Sequence, residues 1–168
     1  MADLGGTDAS NDTLSLVGAP TAAADITAKE LTIGGSFTAN DKLYEGTVDA
    51  TMLTHSLTLA GVVDGETLTL DNESLIFAQA GVGVDIVVSI DSADLGGADA
   101  SNYTLSLVGA PTAAADITAK ELTIGGSFTA NDKVYDGTVD ATMLVDSLTL
   151  TGVVDGDTVT LDNESLIF

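Results

Sequence analysis

Few side chains in this sequence can do chemistry. His55 is the only histidine, and so the only imidazole that could act as a general base or nitrogen ligand near neutral pH. Its counterpart in an internal repeat, at an offset of 91 residues, is Asp146. His55 therefore belongs to no repeated site and is read as an exposed hairpin histidine. Serine and threonine are plentiful, but a hydroxyl without an activating base is a weak nucleophile. The absence of cysteine removes thiol nucleophiles, thiolate metal sites and disulfides together. No enzymatic activity is expected.

Carboxylates are the abundant reactive type, with 26 acidic side chains against 4 basic ones. Asp94, Asp99, Asp132, Asp136, Asp140, Asp155, Asp157, Asp162 and Glu164 all lie near turn signals, and Ca²⁺ takes roughly six to eight oxygens. Asp71-Asn72-Glu73 lacks the spaced ligands and glycine of an EF-hand. A calcium site would thus have to be assembled from separated loops, with Asp94, Asp99, Asp132, Asp136, Asp155 and Asp157 as candidate ligands. The competing reading is that these are solvated turn carboxylates that keep the chain soluble. Neither reading requires a cofactor. Tyr44 and Tyr135 stand in Tyr-acid-Gly turns, where an exposed ring could contact a glycan or protein, or could instead pack across a sheet edge while the glycine permits the turn. Asn11, Asn72, Asn102 and Asn163 each open an Asn-x-Ser/Thr sequence and are read as turn asparagines.

The formal charge of −22 repels phosphate backbones and anionic headgroups, and Lys29, Lys42, Lys120 and Lys133 cannot form a basic patch. No stretch approaches the roughly 20 apolar residues of a spanning helix. Neither nucleic-acid binding nor membrane insertion is expected. Met1 is followed directly by Ala2 and Asp3 without a targeting segment, so the chain reads as a mature form, a fragment or an expression product.

The elements that would hold these groups are set by the repeat. Residues 3–77 align with 94–168, and the two copies differ at nine positions, among them Asp12/Tyr103, Leu43/Val134, Glu45/Asp136, His55/Asp146 and Glu66/Asp157. A period near 90 residues is too long for a solenoid turn and matches a small independently folding domain. Val82, Val84, Ile86, Val88 and Ile90 alternate with Gly83, Asp85, Val87, Ser89 and Asp91, the period of two that predicts a strand with one buried face. Tyr103, Leu105 and Leu107 alternate in the same way. These seven apolar positions are expected in the core. The segments 57–63 and 67–70 flank Asp64-Gly65 and are predicted to form a hairpin. The helix-compatible stretch 19–29 contains Pro20 and is read as a linker.

At Lys133-Val134-Tyr135-Asp136-Gly137-Thr138, followed by residues 148–160 (LTLTGVVDGDTVT), the chain resembles the YDG-type repeat domain of large bacterial surface and adhesin proteins. The first copy reads Lys42-Leu43-Tyr44-Glu45-Gly46-Thr47, and the segments 97–105 and 115–120 fit the same family in order and spacing. Two departures stand out: Glu45 replaces the motif's aspartate, and Asp12 puts a charge where Tyr103 has a ring.

The resemblance brings no catalytic residues with it. It implies an all-β protein of tandem Ig-like antiparallel β-sandwich repeats of 91 residues, exported to the bacterial cell surface. In the family's frame residues 1–25 close a preceding repeat, 26–116 form one complete repeat, and 117–168 open a following one. A rival frame treats 1–77 and 92–168 as two copies joined by 78–91. The expected function is a structural segment of an extracellular fibre or adhesin stalk. The alternative is a multivalent carbohydrate- or protein-binding adhesin module whose repetition supplies avidity. The expected partners are neighbouring copies of itself, paired head to tail into a polymer where the chain is the whole subunit, and a surface glycan or protein ligand.

Overall fold

The computed structural model describes residues 3–162 and 165–167. The chain is all-β, and among the described residues its helical content is two single 3-10 turns, Ala9–Asn11 and Ala100–Asn102. Threonine, valine, isoleucine and leucine fill the strands, where branched side chains pack well on a pleated surface. Glycines and short polar side chains punctuate them.

Residues 3–28 carry no strand and are almost all exposed. Ten strands follow: β1 (Lys29–Gly34), β2 (Phe37–Ala39), β3 (Lys42–Leu43), β4 (Asp49–Ala50), β5 (Met52–His55), β6 (Thr58–Ala60), β7 (Thr69–Phe77), β8 (Gly83–Gly96), β9 (Tyr103–Ser106) and β10 (Thr112–Thr118). They form a five-stranded sheet ordered β3-β10-β8-β7-β4, a three-stranded sheet β6-β1-β9, and the pair β2-β5. The sheets close partway round one core in a barrel-like manner, with Ile33, Phe37, Leu75, Phe77, Ile86, Val88, Ile90, Ala115 and Ile117 buried together. The remaining strands are β11 (Thr123–Ala130), β12 (Asp140–Ala141), β13 (Met143–Thr151) and β14 (Leu166–Ile167). β11 pairs with β13, and β12 with β14. Their registers repeat those of the first copy: Phe128 faces Asp146 as Phe37 faces His55, and Ala141 faces Leu166 as Ala50 faces Leu75.

Three expectations are corrected. The sheets are mixed rather than antiparallel, because β1 runs parallel to β9 and β3 parallel to β10. The Asp64-Gly65 turn forms, closed by the Glu66 amide donating to the Val63 carbonyl at 3.1 Å, but it is not a hairpin. Its arms part to different sheets, β6 pairing with β1 and β7 with β8. Val82 and Val84 are exposed, Val84 to 77%, whereas Ile86, Val88 and Ile90 are buried as expected and Leu105 and Leu107 partly so. The cause is a bulge: Gly83 faces Ile117 and Ile86 faces Ala115, so three steps along β8 match two along β10. Asp85 takes φ 52° within it, and its amide donates to Asp116 Oδ1 at 2.8 Å. An extra residue reverses the facing of everything on one side of a bulge.

Candidate functional site

The Tyr-acid-Gly turn is organised by the lysine that precedes it. Lys42 opens β3, and its ammonium reaches across the following turn to donate to Glu45 Oε1 at 2.9 Å, the Thr47 carbonyl at 2.8 Å, Thr47 Oγ1 at 3.0 Å and the Asp49 carbonyl at 2.9 Å. The same ammonium stands 5.5 Å from the centre of the Phe77 ring, within range of a cation–π attraction. Lys133 repeats the arrangement with Asp136 Oδ1 at 2.8 Å, Thr138 Oγ1 at 2.7 Å and the Asp140 carbonyl at 3.0 Å. The hydrogen bond from Lys42, then that from Thr47, holds the Glu45 carboxyl below the usual range, and Lys133 does the same for Asp136. Glu45 thus keeps the role of the aspartate it replaces. Sequence reasoning missed the lysines as the ties of these turns; the readable signal was Lys-x-x-acid-x-Thr at identical spacing in both copies.

The two tyrosines part company. Tyr44 is half-buried against the core of its own copy, its amide donates to the Thr118 carbonyl at 2.8 Å, and its hydroxyl donates to Asp157 Oδ1 at 3.0 Å. That bond to a carboxylate, followed by partial desolvation, pushes the phenol above its usual range. A cleft of about 200 Å³ lies beside the ring, lined by Tyr44, Val82, Lys120, Leu122, Val154 and Asp157 among others. Tyr135 is 91% exposed.

The acidic candidates are dispersed. Asp94 accepts from Asn72 Nδ2 at 3.0 Å, Asp99 precedes the second 3-10 turn, Asp132 and Asp155 are exposed, Asp136 pairs with Lys133 and Asp157 with Tyr44. Among the described residues no three acidic or histidine side chains gather as a metal site would require. Glu164 and the turn asparagine Asn163 lie outside the described residues. His55 is exposed in β5, opposite Phe37. It stands on an open cleft of about 520 Å³ between β6 and β7, walled by Leu57, Leu59, Leu68 and Leu70 with Glu66 and Glu73. A smaller counterpart of about 290 Å³ runs past Asp146, Leu148, Leu150, Val159 and Leu161.

Tyr103 explains the departure at Asp12. It is buried, its hydroxyl accepts the Val63 amide at 3.1 Å and donates to the Glu66 carboxylate, and that carboxylate raises its pKa. Asp12 is exposed in the strandless segment 3–28, where a charge stays hydrated.

The hydrogen bonds of Lys42 and Tyr44 tie the turn to its own sheet and to Asp157. A family model described as the YDG domain matches residues 27–114 and again 118–168. No curated protein and no solved structure matches the chain.

Proposed function

The chain belongs to the YDG domain family, and from that premise we propose that it is a structural segment of a bacterial extracellular fibre or adhesin stalk, built of serial Ig-like sandwich repeats in the frame 1–25, 26–116 and 117–168. The observation that carries this reading is the repetition of strand register from the first copy into the second. A design that repeats one fold along a chain gains length with each copy and needs no active site. Five- and three-stranded sheets around one core are compatible with the sandwich part of this proposal.

Head-to-tail pairing belongs to the same proposal, for the case in which no further chain follows residue 168. Ile124 is 63% exposed and Phe128 47%, where their counterparts Ile33 and Phe37 are 4% and 5% exposed in a core shared with β7, β8 and β10. Leu14 and Leu16 are likewise exposed, while Leu105 and Leu107 pack on the core. The parallel register of Lys29 with Tyr103 would set Lys120 of one molecule beside Asp12 of the next. Such a contact is heterologous and propagates. Sedimentation of the full chain at high concentration tests it: polymer is expected, and polymer should vanish on deleting residues 1–25. A monodisperse monomer overturns the pairing, and electron micrographs of unextended particles from a multi-repeat chain overturn the stalk.

The alternative, a multivalent glycan- or protein-binding module, is favoured by the leucine-walled cleft that recurs at the 91-residue offset. Leu59→Asp together with Leu150→Asp should then abolish adhesion to host glycans or matrix protein without loss of fold.

A further inference from the structure

We propose that the Tyr-acid-Gly turn is a joint that fixes each repeat to the one that follows it, by receiving that repeat's Val-Val-Asp-Gly-Asp turn. The inference rests on the serial-repeat reading and adds what holds successive repeats in line. The chain supplies its own control, because the same two turns occur once with a following copy and once without.

Three differences between the copies coincide at one place. The Tyr44 ring is half-buried and bonded to Asp157, whereas Tyr135 is 91% exposed. Val154 is partly covered, whereas its counterpart Val63 is 46% exposed. A Cβ built on Gly46 would stand 3.1 Å from Val154 Cγ1, whereas one built on Gly137 would meet nothing within 4 Å among the described residues. Both glycines have φ +82°, so their backbones are alike and only the neighbour differs. Sequence differences at the turn do not account for this, since Glu45 and Asp136 make the same lysine bond.

The tether makes the contact effective. β10 ends at Thr118 and β11 begins at Thr123, so the first core and the second copy are joined by a very short span that already limits their separation. The Tyr44 amide binds the Thr118 carbonyl, anchoring the turn at the root of that span. A second point of attachment, tyrosine hydroxyl to Asp157, then removes the swivel that a single tether leaves. High effective concentration lets even a weak contact stay formed. Glu66, the counterpart of Asp157, is bound inward to Tyr103; the shorter aspartate side chain at 157 is the one that faces the joint.

The chain has no cysteine, so spin labels can be placed on Ser92→Cys and Thr129→Cys, both exposed and away from the joint, and their separation measured by pulsed electron resonance. A single narrow distance is expected. Gly46→Ala, Tyr44→Ala and, to a lesser degree, Tyr44→Phe should broaden it, with the amide spectrum of residues 29–118 confirming that the first core stays folded. Gly137→Ala imposes the same backbone strain with no neighbour to meet and should leave the distance unchanged. A broad distribution in the unsubstituted chain, or equal responses to Gly46→Ala and Gly137→Ala, overturns the joint. Either result leaves the stalk reading standing, as beads on flexible links; that reading fails by the micrographs described above.

Discussion

Ile86→Ala is the substitution that most directly tests how β8 meets the core. Ile86 is 8% exposed at the first core-facing position after the bulge. Truncation removes three carbons at about 0.8 kcal/mol each. The site cannot close over the gap easily, because its cross-strand partner is Ala115 and its side chain lies across Gly83, where a Cβ would come 3.0 Å from Cδ1 and 3.1 Å from Cγ1. Adding a term for the unfilled space gives a loss of about 3 kcal/mol, inside the usual range of roughly 2–5 for such truncations. With a urea m-value of about 1.5 kcal/mol/M, the far-UV circular-dichroism midpoint should fall by about 2 M. Val84→Ala, two residues away, should move stability by no more than about 0.5 kcal/mol. Gly83→Ala alone should cost about 1–3 kcal/mol through overpacking. In the Ile86→Ala background its methyl enters vacated space, so the double-mutant cycle should show favourable coupling. Equal losses for Val84→Ala and Ile86→Ala, or strict additivity of Gly83→Ala with Ile86→Ala, would refute the bulge as the element that sets the buried face.

Asp85→Gly should be neutral or mildly stabilising in the same assay, while Asp85→Val should cost about 1–2 kcal/mol, since φ 52° suits glycine and crowds a branched side chain. The folded-state pKa values of Glu45 and Asp136 lie below their unfolded values, so the stabilisation that they bring is present above about pH 4 and fades as pH falls through the lowered values. Carboxyl-carbon titration by NMR should give midpoints below those of free peptides, and midpoints at or above them would contradict the lysine ties. Millimolar Ca²⁺ and Mg²⁺ at matched ionic strength should raise Tm equally by screening the −22 charge; an excess for Ca²⁺ would reveal a site assembled from separated loops.

Much of the architecture was legible because it is local. The period of two in residues 86–90 marked the buried face of β8, and Asp64-Gly65 marked a turn. What local pattern cannot carry is the identity of a strand's partner. The arms of Asp64-Gly65 looked like a hairpin because their apolar residues suit any edge; β6 found β1 and β7 found β8 instead. The parallel pairing of Lys29 with Tyr103 joins residues far apart in sequence, with no turn chemistry to announce it. The bulge was hidden because Val82 and Val84 keep the alternation while Asp85 breaks it through a backbone angle, a property that aspartate tolerates without advertising. At the site, the turns around Tyr44 and Tyr135 differ only by the conservative exchanges Leu43/Val134 and Glu45/Asp136, and what separates the two rings is Asp157, 113 residues from Tyr44. Lys42 and Lys133 were visible as scarce positive charges and as the opening residues of the repeated segment, but not as the donors that close each turn.

The parallel pairs β1–β9 and β3–β10 have a consequence for how residues 29–118 would answer to tension. β1 opens this unit and β10 closes it, so a pull on the chain's two ends reaches these strands first, and the case of interest is a pull directed along them. Bonds between strands lie across the strand direction. Drawing β1 out from its N-terminal end therefore loads its bonds to β9 together, in shear, and drawing β10 out from its C-terminal end does the same to its bonds with β3. A peeled hairpin gives up one bond at a time, each at low force. A strand dragged along its own axis must release all of its bonds in one step, so the unit would hold its full length up to a threshold and then give way abruptly.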